Sequence, residues 1–213
     1  MVSANNTQVS ILIHAMCIQH SIFYSMSMGL LVKEGAPIAW RGLMVMQAIQ
    51  RLTRGVAWDP LDVLIIDTPP GTGDSMISLA QTLPLGGALI VTTPHTIAAQ
   101  VVQRGASLLK TLGVPVVGIV RNMTGAVCPK CGSEVPLSTL KDAKDVFDLG
   151  VEVKIYCDIP THPDIADAGD NGVPIVASNS EGSHGAAYRS LARSVMTYLD
   201  GKACEANSSD NVK

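Results

Sequence analysis

LDVLIIDTPPGTGD, residues Leu61 to Asp74, joins four apolar residues (Val63, Leu64, Ile65 and Ile66) to Asp67 and then at once to a Pro-Pro-Gly-Thr-Gly turn. A short apolar run bounded by turn residues reads as a buried strand. An acid at the carboxyl end of such a strand sits where an open α/β sheet places its ligand crevice. A carboxylate there suits Mg²⁺, which takes oxygen ligands and keeps waters alongside substrate phosphates. Gly71 and Gly73 lack a Cβ and let the backbone approach a terminal phosphate. Asp74 opens a helix.

Outward from this stretch, strand-like and helix-like segments alternate. WRGLMVMQAIQRLTR carries Leu43, Met46, Ala48, Ile49 and Leu52 at helical spacing, with Gly55 as its stop. Met44 and Met46 read as core fillers. A helix follows from about Asp74 to Leu83, and Gly87 to Pro94 (GALIVTTP) is a second buried strand. Ile97 to Leu112 is an amphipathic helix stopped at Gly113, and VPVVGIVRNM is a third strand ending near Asn122 and Met123. Further on come a helix near Leu140 to Leu149, a fourth strand in VEVKIYCDIP and a last helix from about Ser183 to Leu199. Strands alternating with helices imply a parallel, doubly wound sheet.

Composition narrows the function. At 213 residues, with 47% hydrophobic residues and positive mean hydropathy, the chain has ample material for one core. A net charge of −3 gives no electrostatic footprint for nucleic acid, and 4% aromatic content leaves few stacking platforms for single strands. Five cysteines, odd in number and irregular in spacing, argue against a secreted disulfide framework.

Met1 to Val32 contains no Asp, Glu, Lys or Arg, and its middle is apolar. Histidines, glutamine and serines interrupt it and no basic residue flanks its start, so a membrane span is disfavoured and an Arg-rich transit peptide is not seen. Residues 1–35 read as an atypical uncharged leader, 36–200 as the α/β domain, and 201–213 as a polar, flexible tail.

Cys128-Pro-Lys-Cys131-Gly is the second chemical motif. Two thiolates at this spacing can reach one metal. Alone, the pair fits a redox couple, half of a zinc site that recruits Cys157 and His162, a pair of structural thiols, or half of an iron–sulfur site. Cys17, Cys157 and Cys204 match no ligand motif, and His162 and His184 read as surface histidines.

Together with SMSMGLLV, WRGLMVMQAIQ, GALIVTTP, GIVRNM and GVPIV, these motifs resemble the Mrp/ApbC-type family of P-loop ATPases that carry iron–sulfur clusters, and above all its NUBPL-type branch. The matching segments run from Ser25 nearly to Asp200. The resemblance implies a doubly wound, mostly parallel P-loop NTPase sheet of the MinD/Mrp type, N-terminally truncated. It implies ATP with Mg²⁺ held near the catalytic Asp67, Gly71 and Gly73, with Asn122 on the adenine edge. It also implies a 4Fe–4S cluster shared by Cys128 and Cys131 of two protomers in a homodimer. Recipient iron–sulfur apoproteins follow as partners, among them subunits of respiratory complex I, with the mitochondrial matrix as the site of action and the cytoplasm as the alternative. Two departures stand out. No G-x-x-x-x-G-K-[ST] occurs in these residues, so the chain alone is expected to be inactive or nearly so as an ATP hydrolase. His95 stands where the family usually has Gln. A truncated, non-catalytic metal-binding dimerisation module and a partition-type (MinD/ParA-like) ATPase are the other readings.

Overall fold

The computed structural model describes residues 14–18, 21–30, 42–58, 60–68, 73–128, 130–131, 133–136, 155–178 and 182–210. It divides into two compact units, Met1–Pro84 and Leu85–Lys213.

In the first unit, β1 (His14–Ile18) pairs antiparallel with β2 (Ser21–Ser25), His14 opposite Ser25. Helices α1 (Gly42–Arg54) and α2 (Asp74–Thr82) pack together, and Arg54 Nη2 donates to the Thr82 carbonyl at 3.1 Å. The inward stripe of α1 is Val45, Ala48, Ile49 and Leu52, spaced i, i+3, i+4, i+7, with Ala48 buried. Met44 and Met46 fall outside that stripe and are exposed, which corrects their reading as core fillers. The helix stops where expected: the Gly55 amide bonds back to Gln50 and Arg51, and a Cβ there would lie 2.7 Å from the Arg51 carbonyl oxygen.

Leu61 to Ile66 is not a strand. The segment joins no ladder among the described residues, and Ile65 is 83% exposed. Local apolar content is only half of what a strand needs; the other half is a neighbouring backbone to bond to, which no described segment supplies here. Gly71 and the Pro-Pro turn before it lie outside the described residues, as do the expected helix near Leu140 to Leu149 and the first residues of the fourth expected strand.

The second unit is the parallel sheet. β3 (Ala88–Thr92) lies parallel to β4 (Val116–Val127), which lies parallel to β6 (Ile155–Thr161). β5 (Glu134–Pro136) returns antiparallel to β4. β3 and β6 both pair with residues 118–121 of β4, so they flank it on opposite sides; β5 and β6 both pair with Ala126, so β5 continues the line of β3. Val116 to Val120 are all buried, the pattern of a central strand covered on both faces.

Between β3 and β4 runs α3 (Thr96–Thr111), which buries Ala99, Ala106 and Leu109. Past β6 come α4 (Pro163–Asp170), α5 (Ile175–Ser178) and α6 (Ser183–Asp210). Both α3 and α4 end in Schellman turns. Gly113 at φ +71 and Gly172 at φ +70 take the left-handed position, and the Val114 and Val173 amides reach back to Leu109 and Ala168. The last helix continues eleven residues past the expected end at Leu199. Gly87 is required by packing, since a Cβ would stand 2.6 Å from Val117 Cγ1 and close to Tyr198 of α6. Among the described residues no helix is long and apolar enough to cross a membrane.

Candidate functional site

The register places Thr92, the last residue of β3, in one row with Arg121 midway along β4 and Asp158 midway along β6. Arg121 binds Asp158 in a bidentate ion pair, its Nε 2.6 Å from Oδ1 and its Nη2 on Oδ2. The Arg121 side chain is 15% exposed and that of Asp158 49%, so the pair runs from the interior toward solvent. A fork of this kind fixes orientation as well as charge.

Asn122 is the next residue on β4. It does not end the strand, as the sequence suggested; β4 runs on to Val127. The interruption is local. Met123 has φ 60, a left-handed conformation rare for a side-chain-bearing residue, and the Asn122 side-chain oxygen accepts the Met123 amide at 2.9 Å. The β4–β6 register shifts between Asn122 and Ala126, which is a bulge. Bulges re-aim side chains next to sites.

Beyond the bulge β4 leads straight into the cysteine loop. Val127 pairs with Glu134, so Cys128 to Ser133 is the connection of the β4–β5 hairpin. The Cys128 amide donates to the Ser133 carbonyl at 2.9 Å and closes the loop. Both thiols are free; Cys128 is half-buried and Cys131 exposed. Cys131 Sγ lies 3.3 Å from Ser133 Oγ. Hydrogen bonding to Ser133, and after it to Cys128, holds the Cys131 thiol below its ordinary value.

Cys157 does not join them. It sits half-buried on β6, its sulfur 3.7 Å from the Ala187 carbonyl, and burial with the nearby Asp158 charge pushes its thiol up. His162 is engaged as the N-cap of α4, its Nδ1 accepting the Asp164 amide at 3.2 Å. Among the described residues no three ligating side chains converge, so the zinc site built from Cys157 and His162 is not assembled. His162 is therefore a cap with a 17% exposed side chain, not a free surface group. His95 plays the same part at α3, accepting the Ile97 amide at 3.3 Å. These two caps went unread in the sequence, although each histidine immediately precedes a helix, and Pro163 in the first turn of α4 marks the start.

Asp67 and Gly73 belong to the first unit. Asp67 is exposed, and Gly73 is the N-cap position of α2 with no side-chain cap bond. Its φ of −82 suits any residue and a Cβ would meet nothing within 4 Å, so neither backbone nor packing accounts for a glycine there. The structure thus gathers Asn122, Cys128 and Cys131 on one strand and its loop, and sets Asp67 and Gly73 on the approach to α2.

Comparison with known proteins gives one consistent result. A family model described as ParA, NUBPL iron-transfer P-loop NTPase, matches residues 2–196. The mouse iron-sulfur cluster transfer protein NUBPL is 41% identical, over 82% of this chain and 54% of that protein. The Arabidopsis thaliana iron-sulfur protein required for NADH dehydrogenase, mitochondrial, is 42% identical over 82% of this chain and 55% of that protein. An iron-sulfur cluster carrier protein of Helicobacter pylori is 35% identical over 82% and 47%. The chain spans about half the length of the curated relatives it matches. Among solved structures, a nucleotide-binding protein of Archaeoglobus fulgidus in complex with ADP superposes with a TM-score of 0.54 at 32% identity, covering 67% of this chain and 56% of that one. The cell division ATPase MinD of Pyrococcus furiosus, at 22% identity and a TM-score of 0.50 over 74% and 59%, shares the fold. With an α/β parallel sheet, an unbroken family match and relatives of both eukaryotic and bacterial origin, the chain belongs to the NUBPL iron-transfer P-loop NTPase family.

Proposed function

We propose that this protein is an iron–sulfur cluster carrier that holds a 4Fe–4S cluster as cargo between two copies of itself and delivers it to recipient apoproteins. The observation that carries the reading is the β4–β5 hairpin, whose connecting loop presents Cys128 and Cys131 as free thiols, one exposed and hydrogen-bonded. Two cysteines are half of a four-thiolate set, and an isologous dimer brings the same loop in twice. The relatives' names support cluster transfer, and the Arabidopsis relative's name supports NADH dehydrogenase, and so complex I subunits in the mitochondrial matrix, as the destination.

Nucleotide is the second part of the reading. The family resemblance assigns Asn122 to the adenine edge, where its amide nitrogen is left to donate while its oxygen accepts the Met123 amide, and assigns Asp67 to Mg²⁺ through water and Gly71 and Gly73 to the terminal phosphate. The ADP complex of the A. fulgidus relative supports it. Phosphoryl transfer relies on positioning and charge neutralisation by a loop lysine that is not among these 213 residues. The polypeptide by itself is therefore expected to carry cluster without turning over ATP. Within the chain, residues 36–200 are taken as the functional domain.

Anaerobic loading with iron and sulfide tests the reading. The full chain should gain broad visible absorption at about two irons per chain, with dimer mass in solution. Cys128→Ala should lose both the colour and the dimer. A loaded Cys128→Ala chain with undiminished absorbance, or a colourless wild-type monomer, refutes it.

A further inference from the structure

The two cysteines of the loop are not equivalent, and Ser133 meets each of them in a different way. Cys128 is half-buried one residue past the last ladder pair of the hairpin, Val127 with Glu134, and its amide is tied to the Ser133 carbonyl at 2.9 Å. Cys131 is exposed at the turn, with its sulfur 3.3 Å from the Ser133 hydroxyl. Ser133 thus braces one cysteine through its backbone and the other through its side chain. A hydroxyl rotates freely between roles. It accepts from Cys131 when that sulfur carries its proton, and it donates when the sulfur is an anion. Hydrogen bonds to sulfur draw charge from the metal–thiolate bond and stabilise the thiolate that departs.

We propose that Ser133 sets the order in which the sulfurs release a cluster: Cys131 departs first, onto the Ser133 hydroxyl, and Cys128 departs last. This rests on the cluster-carrier reading. The step is a ligand exchange. A thiolate of the recipient bonds to the iron held by Cys131, and the bond between that iron and Cys131 Sγ breaks. The electron pair leaves with Sγ. One thiolate replaces another, the iron keeps its oxidation state, and the hydroxyl proton stays on Ser133 Oγ as a hydrogen bond to the freed sulfur. Cys128 keeps the cluster attached meanwhile, so cargo passes from hand to hand without being free in solution.

The test uses the full chain loaded anaerobically, with reduced glutathione as the incoming thiol and loss of visible absorbance as the clock. Ser133→Ala should load the same iron per chain and release it about tenfold more slowly, the scale of one lost charge-assisted hydrogen bond. Ser133→Thr, which keeps the hydroxyl, should restore the wild-type rate. Iodoacetamide added during release should mark Cys131 before Cys128 in the wild type. In Ser133→Ala the iron–thiolate stretch should also move to higher frequency, because a sulfur without its hydrogen bond donates more strongly to iron. Unchanged release in Ser133→Ala, or Cys128 marked first, overturns the proposal alone. A wild-type chain that takes up no iron overturns the carrier reading and the proposal with it.

Discussion

Arg121 on β4 and Asp158 on β6 are register partners, and their side chains meet in a two-pronged ion pair midway along the two strands. The position matters because the ladder shifts one residue later, at Asn122. The pair fastens the two strands by their side chains just before that shift. Half-exposure of Asp158 limits what it contributes through screening. Arg121→Ala should cost about 1 kcal/mol of stability, read as a lower urea midpoint. Arg121→Lys should recover only part of that, because a single ammonium cannot reproduce the fork.

Thiol reactivity should separate Cys131 from Cys157 in the metal-free chain. Hydrogen bonding to Ser133 lowers the Cys131 thiol, and burial raises that of Cys157. Thiolate is the reacting form. Iodoacetamide near neutral pH, followed by peptide mass spectrometry, should label Cys131 well before Cys157. Equal labelling, or Cys157 first, would contradict the geometry of the loop.

Alkaline pH should weaken the fold through β6 and α6. Burial, then Asp158, raises the Cys157 thiol above its ordinary 9.0, and burial, then Cys157, raises the Tyr188 phenol. Above pH 9 the unfolded chain has lost protons that the folded chain still holds, so the unfolded state binds fewer and stability falls as pH rises. The contribution is complete below the unfolded value and drains away above it. Denaturation midpoints taken at about pH 8 and about pH 10 should differ less in Cys157→Ala than in the wild type.

The histidine caps make a further prediction. His95 and His162 each spend Nδ1 on the second backbone amide of the following helix. His95→Ala should cost about 1 kcal/mol, and His95→Asn, a good cap in its own right, should cost much less. Thermal melts of the two variants suffice to compare them.

Much of the second unit was legible because its signals are local. Val116 to Val120 is an uninterrupted apolar run, and α3 pairs a periodic stripe with a glycine placed for its terminal turn. The C-x-x-C spacing announces itself for the same reason. What escaped is whatever depends on partners distant in the chain. Val63 to Ile66 has a strand's composition, but hydrogen-bonding neighbours are settled elsewhere. Met46 sits one position off the buried stripe of α1, an error of phase rather than of element type. The extension of β4 past Asn122 turns on a left-handed Met123, and no residue type there advertises it. Nor does RNMTGAV look like strand until Glu134-Val135-Pro136 comes back to pair with it.

Because β4 is continuous from Val116 to Val127, Asn122 and Cys128 are threaded on one ribbon, at most about 20 Å apart when stretched. Met123 breaks its extended course with a left-handed φ of 60. Six peptide units therefore separate the sulfur tip from the asparagine, with a left-handed pivot standing between them.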